Sequence, residues 1–194
     1  MWARGILYVS RIKVTVNGLA NIDPTQSYVY MSNHQSNFDI PVLLAYLPVQ
    51  FRWLAKAELF KIPIFGRAMR GAGYVKIDRF NREAAFESLN EAARKMKNGV
   101  SVMIFLEGTR SRDGKIRPFK KGGFVMALDA GVPIVPVVLK GTWTIMDKSS
   151  LRINTGEVSL NIETPIATTD YTRENKDDLI KSVRAVISQG FEKG

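Results

Sequence analysis

The sequence contains no cysteine and only one histidine among its 194 residues. Without cysteine the chain forms no disulfide and no thiolate metal site, and it has no cysteine nucleophile. A single imidazole also excludes a histidine-based metal cluster, although a site built from carboxylates alone stays open. His34 is therefore the one side chain that titrates near neutral pH without help from its surroundings.

Long apolar segments are missing as well. The longest apolar run, residues 40–49, contains two prolines and is far shorter than the roughly 20 residues of a membrane-spanning helix. Residues 1–10 are too short and too polar for a signal peptide. The sequence therefore predicts no membrane-spanning segment, while binding to a membrane surface stays open.

Positive charge is present in excess and is concentrated in one part of the chain. The net charge is +10, and residues 52–121 carry all of it, with 17 Lys/Arg against 7 Asp/Glu. Such a segment predicts an anionic partner, which could be a membrane surface, a phosphorylated substrate, an acidic protein or a nucleic acid. The alternative is a solvated basic face that only keeps the protein soluble.

The apolar pattern predicts strands that alternate with helices. The predicted strands span residues 12–16, 28–32, 52–55, 73–77, 100–106, 132–139 and 157–162. The predicted helices are a short apolar one capped by Asp39 and three longer ones at residues 81–98, 122–130 and 176–189. This order predicts an α/β fold, a single domain over residues 1–194 with a mainly parallel central sheet flanked by helices.

The histidine lies in a polar segment at the end of a predicted strand. His34 stands five residues before Asp39, so a carboxylate at the start of the helix can reach back to a ring in the loop. A carboxylate on one ring nitrogen leaves the other nitrogen free to accept a proton, which makes His34 a candidate general base for a substrate hydroxyl. The alternative is a purely structural His–Asp pair.

A second polar segment, residues 107–111, directly follows a strand predicted to be buried. Loops at the carboxyl ends of parallel strands hold the ligands of α/β folds. Gly108 permits a close backbone approach, and Arg110 can bind a phosphate through two donors. Arg79 follows another predicted strand and offers a second guanidinium. The alternatives are an ordinary charged turn and a surface ion pair.

Four segments, taken together and in this order, resemble the four motif blocks of the glycerophospholipid acyltransferase family. Residues 34–39 match its H-x-x-x-x-D block, and residues 73–79 are similar to the second block, which ends in arginine. Residues 105–111, FLEGTRS, resemble the block F-P-E-G-T-R-S, with Leu106 in place of the usual proline. Residues 132–137 resemble the fourth block. The bacterial 1-acylglycerol-3-phosphate acyltransferases are the branch of this family that the segments resemble most.

The resemblance implies a transfer of a fatty-acyl group from acyl-ACP or acyl-CoA to the hydroxyl of 1-acyl-glycerol-3-phosphate, which gives phosphatidic acid. In that reaction His34 would deprotonate the acceptor hydroxyl and Asp39 would hold His34 in place. No metal and no bound cofactor would be needed. An apolar slot for the acyl chain is also expected; its candidates, which could equally be ordinary core, are Leu43, Leu44, Ile62, Ile64 and Phe65.

The same resemblance implies roles for the basic and glycine-containing segments. Arg79 would bind the phosphate of the lysophospholipid acceptor, with Arg110 in support. The segment Glu107, Gly108 and Thr109 would shape that phosphate pocket.

The resemblance also implies a location on a membrane. Family members carry a hydrophobic N-terminal helical anchor, of which residues 1–10 are the expected remnant. We expect the protein on the cytoplasmic face of a membrane, bound peripherally, with residues 52–121 against its anionic surface.

Two alternatives to this function stay open. The acceptor could be glycerol 3-phosphate or a lyso-aminolipid, since the motifs do not distinguish acceptors. The chain could also be a non-catalytic basic module that binds membranes peripherally, although that function leaves His34, Asp39 and the Glu107 segment unexplained. Nucleic acid is not an expected partner because the sequence contains no recognition helix and no aromatic-rich platform.

Overall fold

The computed structural model describes residues 2–78 and 81–193, with the backbone alone for Arg82 and Lys193. Within these residues seven strands form one sheet in the order β1-β7-β6-β2-β5-β3-β4. The strands are β1 Ile12–Asn17, β2 Val29–Ser32, β3 Phe51–Lys56, β4 Val75–Ile77, β5 Ser101–Phe105, β6 Ile134–Lys140 and β7 Gly156–Ile162. Every neighbouring pair is parallel except β6 and β7, which are antiparallel. The predicted α/β fold with a mainly parallel sheet is confirmed.

Helices cover both faces of this sheet. They are α1 Trp2–Val9, α2 Asp39–Tyr46, α3 Phe65–Gly71, α4 Arg82–Lys97, α5 Gly122–Ala130, α6 Thr142–Ile145 and α7 Lys176–Lys193, with short 3-10 turns at Leu19–Asn21 and Ala57–Lys61. The core on one face packs α1 and α2 against Tyr30 of β2, and the core on the other face packs α4, α5 and α7 against Val29 and Met31. Because successive side chains of β2 enter opposite cores, this strand is buried on both faces. Among the described residues, no helix has both the length and the hydropathy of a membrane-spanning segment.

Local sequence signals explain where several helices start and stop. Asn81 caps α4, since its side-chain oxygen accepts the backbone N–H groups of Glu83 and Ala84, both at 3.1 Å. Gly99, with a φ of +88°, ends the same helix. The prediction that Asp39 caps α2 is wrong, because Asp39 is the first helical residue and Phe38 holds the capping position without a side-chain bond. The Asp39 carboxylate is turned toward the preceding loop instead.

The three central strands β2, β5 and β6 place their outgoing loops at one edge of the sheet. They are mutually parallel, so the loops that begin at residues 33, 106 and 141 leave from the same side. Asn33, at the end of β2, is hydrogen-bonded to β6. Its side-chain NH₂ donates to the Leu139 carbonyl at 2.8 Å, and its side-chain oxygen accepts the Leu139 N–H at 2.9 Å. We call this side, with the loops leaving it, the carboxyl edge.

Candidate active site

The loop that follows β2 brings the imidazole against a buried carboxylate. The Nδ1 atom of His34 lies 2.7 Å from Oδ2 of Asp39, whose side chain is fully buried, while the side chain of His34 keeps 15% of its surface exposed. Because an ionised carboxylate can only accept, this bond places a hydrogen on Nδ1, and in the neutral form of the ring Nε2 then carries the lone pair. The predicted pairing of the two side chains is therefore present, in the geometry of a general base and its orienting acid.

Asp39 is held in this orientation by the loop itself. Its Oδ2 atom also accepts the backbone N–H groups of Gln35, at 2.7 Å, and Ser36, at 2.9 Å. The position at the start of α2 favours a negative charge as well, because helix N-termini carry unpaired N–H groups. The other carboxylate oxygen, Oδ1, is buried and has no hydrogen-bond partner within the described part of the chain.

Two aromatic rings fix the plane of the imidazole. The ring of Phe105 stacks on His34 with 3.8 Å between centroids and 7° between planes. The indole of Trp53 stacks in turn on Phe105 with centroids 5.3 Å apart. Stacking restricts the tilt of the imidazole and the bond to Asp39 restricts its rotation, so His34 is held before any substrate binds. The sequence analysis gave neither ring a role, although Phe105 opens the FLEGTRS segment; Trp53 lies in the middle of β3 and had no such signal.

Glu107 is a buried carboxylate that joins two loops. Glu107 is only 3% exposed. One carboxylate oxygen accepts the backbone N–H of His34 at 2.9 Å, and the other accepts that of Arg117 at 3.0 Å. Burial raises the pKa of Glu107, and the two backbone bonds oppose that rise in part. The sequence analysis expected this carboxylate to shape a phosphate pocket. The structure gives both of its oxygens backbone partners, one of which belongs to His34, and the role in a phosphate pocket stays a prediction.

The rest of the Glu107 segment lies beside the histidine loop. The N–H of Ser111 donates to the His34 carbonyl at 2.8 Å, and Gly108 adopts the left-handed φ of +72° that the tight turn after β5 needs. Thr109 and Arg110 are half-buried here. Arg79, the other arginine expected to bind phosphate, lies outside the described residues. The structure thus brings the His34–Asp39 pair and residues 107–111 together at the carboxyl edge.

A third loop, between α6 and β7, also lies at the carboxyl edge, although it contains no recognised motif. The hydroxyl of Ser36 donates to the carbonyl of Met146 at 2.6 Å, and Nζ of Lys148 donates to the hydroxyl oxygen of Thr109 at 3.0 Å. Both contacts tie the segment after α6 to loops that were singled out from the sequence. Its place after β6, at the same edge, was the one signal that could have identified it.

The residues expected to line an acyl slot do not form one group. The expectation that Leu43 lines a slot is wrong, because Leu43 is completely buried in the core between α2 and the sheet. Leu44 is partly buried against the same core. Ile62, Ile64 and Phe65 are exposed at a different place, after β3. In addition, no three acidic or histidine side chains in residues 2–78 and 81–193 converge as a metal ion would require.

Comparison with known proteins gives a consistent result. A family model described as Acyltransferase matches residues 13–140, which run from β1 to the end of β6. The chloroplastic 1-acyl-sn-glycerol-3-phosphate acyltransferase of Brassica napus is 40% identical over 168 residues, 86% of this chain and 48% of that protein. The human 1-acyl-sn-glycerol-3-phosphate acyltransferase alpha is 34% identical over 180 residues, 92% of this chain and 64% of that protein. The chain thus spans roughly half to two thirds of the length of these relatives.

A solved structure supports the same relationship. The crystal structure of PlsC, a 1-acyl-sn-glycerophosphate acyltransferase from Thermotoga maritima, superposes with a TM-score of 0.86 at 34% identity, covering 98% of this chain and 76% of that one. The segment that the family model matches contains His34, Asp39 and Glu107, the residues that meet at the carboxyl edge. On sequence, fold and the arrangement of these loops, the chain belongs to the acyltransferase family.

Proposed function

We propose that this protein transfers a fatty-acyl group from an acyl thioester to the hydroxyl of 1-acyl-sn-glycerol 3-phosphate and so forms phosphatidic acid. The observation that carries the proposal is the 2.7 Å contact between Nδ1 of His34 and a fully buried Asp39 carboxylate, with the imidazole partly exposed at the loop edge of the sheet. Relatives named for this activity share at least a third of their aligned residues with the chain.

The reaction follows from what an imidazole held through Nδ1 can do. Nε2 of His34 takes the proton of the acceptor hydroxyl while the oxygen attacks the thioester carbonyl carbon, which forms a new C–O bond and a tetrahedral oxyanion. The oxyanion collapses and breaks the C–S bond, and the imidazolium returns its proton to the leaving sulfur. The products are an ester and a free thiol. Asp39 stabilises the imidazolium between these two steps.

The anionic parts of the substrates need cationic groups near His34. Arg110 is half-buried in the loop that donates the Ser111 N–H to His34, so its guanidinium is suited to bind the acceptor phosphate. We assign Arg79 to the same phosphate, with Gly108 and Thr109 shaping the pocket. The donor is an acyl thioester of acyl carrier protein or coenzyme A, and the reaction uses no bound cofactor.

Thiol release from an acyl thioester tests the activity directly, and the absence of cysteine removes any background from the protein. With lysophosphatidate as acceptor the wild type should release thiol, and His34→Ala should lose about 10²–10⁴-fold in turnover. Asn37→Ala is the matched control, because Asn37 is exposed in the same loop and should keep turnover within a few-fold. Undiminished turnover in His34→Ala would end the proposal. No release with any acceptor would leave the non-catalytic module, and glycerol 3-phosphate or a lyso-aminolipid as the better acceptor would change the substrate alone.

We further propose that the carboxyl edge docks on an anionic membrane at the cytoplasmic face. An apolar tip formed by Ile62, Ile64 and Phe65 leaves this edge after β3 and is flanked by the basic residues Lys61 and Arg67. Ile64 is 82% exposed and has a φ of +64°, the centre of a tight turn in which the Phe65 N–H donates to the Pro63 carbonyl at 2.6 Å. A β-branched residue rarely adopts this conformation in water-exposed turns, since it is costly. An apolar side chain held outward beside cations suits a lipid interface.

Vesicle sedimentation tests this docking. The protein should pellet with vesicles that contain phosphatidylglycerol at low salt, less at high salt, and poorly with phosphatidylcholine alone. Phe65→Ser should weaken pelleting, whereas Leu19→Ser should not: the two residues are 50% and 41% exposed, but Leu19 follows β1 at the opposite edge of the sheet. Equal pelleting with both vesicle types, or equal effects of the two substitutions, would contradict docking through the tip.

A further inference from the structure

The loop between α6 and β7 carries a lysine that meets the substrate segments. Nζ of Lys148 donates to the hydroxyl oxygen of Thr109 at 3.0 Å, two residues from the Ser111 N–H that bonds to His34. The start of the same loop accepts the hydroxyl of Ser36 through the Met146 carbonyl. Lys148 therefore stands within one hydrogen bond of the Glu107 segment, in a loop that is also tied to the histidine loop.

This loop is folded by its own polar side chains. The carboxylate of Asp147 accepts the N–H groups of Ser149 at 2.7 Å and Ser150 at 3.0 Å. Asn154 bonds back to α6 through its own N–H, at 2.9 Å from the Ile145 carbonyl. The neighbouring carboxylate is thus engaged with its own backbone, and Asp147 makes no ion pair with Lys148.

Positive charge is crowded around Lys148. The pKa of Lys148 is lowered, mainly by burial and then by the positive charges of four neighbours, Arg112, Arg110, Lys56 and Arg117. None of these five cations has an ion-pair partner among residues 2–78 and 81–193, where the ion pairs lie elsewhere. Cations that lie this close together repel one another, and a phosphate placed between them offsets that repulsion.

We propose that Lys148 binds a substrate phosphate together with Arg110, as a residue of the substrate site that lies outside the acyltransferase motifs. The bond to Thr109 uses one of the three N–H groups on Nζ and leaves two for phosphate oxygens. The lysine contributes a point charge beside the planar donors of the arginine. The inference rests on the proposed acyl transfer for the identity of the substrates. The phosphate belongs either to the acceptor or to the phosphopantetheine arm of the thioester donor.

Lys148→Met tests the inference, because methionine keeps an unbranched side chain and removes the charge. Lys97→Met is the matched control: Lys97 is exposed at the end of α4, which leads into the amino end of β5 on the far side of the sheet. The KM for each substrate is measured with the other held constant, and Tm confirms folding. Loss of a charged hydrogen bond should raise one KM by about 10- to 100-fold, with no change in the control.

The two kinetic arms identify the source of the phosphate. A higher KM for lysophosphatidate places Lys148 on the acceptor, and a higher KM for acyl-CoA places it on the donor. Titration with glycerol 3-phosphate followed by calorimetry gives a readout that needs no turnover, so phosphate binding can be established even if acyl transfer fails. Unchanged KM values for both substrates, with equal glycerol 3-phosphate affinity in wild type and Lys148→Met, would overturn the proposal.

Discussion

Asp39→Asn separates the charge of the carboxylate that holds His34 from its geometry. Oδ2 of Asp39 accepts three N–H groups, those of the His34 ring and of the Gln35 and Ser36 backbone. Oδ1 has no partner in the described structure. The asparagine oxygen should therefore take the Oδ2 place and its NH₂ group the Oδ1 place. The imidazole then keeps its orientation and its hydrogen on Nδ1, and the negative charge is what is lost.

The size of the effect follows from Coulomb's law. An imidazolium and a carboxylate with charge centres roughly 4 Å apart attract by about 4 kcal/mol at an effective dielectric constant near 20. Losing that attraction when the imidazolium forms should slow turnover by about 10³-fold. The fold loses less, about 1–3 kcal/mol, because two backbone N–H groups exchange a charged acceptor for a neutral one and a buried NH₂ group is left unpaired.

Single-turnover thiol release measures the rate, and the ¹⁵N shifts of the one histidine report the tautomer without any assignment problem. Asp170→Asn, an exposed aspartate, is the control for loss of a charge alone. Wild-type turnover in Asp39→Asn would refute the reasoning on charge. A slow variant in which the hydrogen has moved to Nε2 would refute the reasoning on geometry.

Three further predictions follow from described contacts. Glu107→Gln turns one of the two oxygens that accept the His34 and Arg117 N–H groups into an NH₂ donor. We expect kcat to fall about 10–100-fold and the KM for lysophosphatidate to stay within about twofold. A raised KM with an unchanged kcat would indicate that Glu107 binds the substrate. Because burial raises its pKa, folded Glu107 holds its proton more readily than unfolded Glu107, so the free energy of unfolding should fall as pH rises above the ordinary carboxyl value. Denaturation of Glu107→Gln should lack this slope, and an equal slope would contradict it. Gly141→Ala places a Cβ atom against the Glu157 carbonyl oxygen at a φ of +92° and should lower the free energy of unfolding by more than about 2 kcal/mol, as measured through Tm. Gly131→Ala, also at positive φ but with nothing near its Cβ, should lower it by about 1 kcal/mol. Equal losses in the two variants would argue against the close contact.

Local patterns predicted most of the elements because each has a local cause. Helix α4 has an apolar stripe, a capping Asn81 and a terminating Gly99, and β5 is apolar after its first residue, Ser101. The direction of β7 had no such signal. It runs antiparallel to β6, although the connection over residues 141–155 contains α6 and is long enough for a parallel crossover, so the length of the connection does not fix the direction. The position of Asp39 was also misread, since its carboxylate pairs with N–H groups before the helix rather than inside it.

For the candidate site too, the sequence predicted the contacts between residues close in the chain and not those between distant loops. The His34–Asp39 pair is five residues apart, so a loop followed by a helix start was enough to bring the two together. The partners of Glu107 are backbone N–H groups of His34 and Arg117, and backbone donors leave no mark in a sequence. Lys148 is one lysine in a polar stretch, 39 residues from the Thr109 it contacts. Its relevance depends on three loops that meet only in the folded sheet.

The position of β2 at the centre of the sheet determines how long this strand lacks its partner strands while the chain is being synthesised. Val29 pairs with Val102 on one side and Ile134 on the other, 73 and 105 residues further along the chain. At 5–20 residues per second, the strand that leads into His34 waits on the order of 5–20 s for its second neighbour. Until β5 and then β6 have been made, its apolar side chains lack one or both neighbouring strands, and a chaperone that binds exposed apolar segments would protect the chain in this interval. The outer strand β1 waits longer still, because Ile12 pairs with Gly156 of β7. The first strands made are thus among the last to find their partners, and shortened chains that end before β6 should yield aggregates rather than a smaller folded domain.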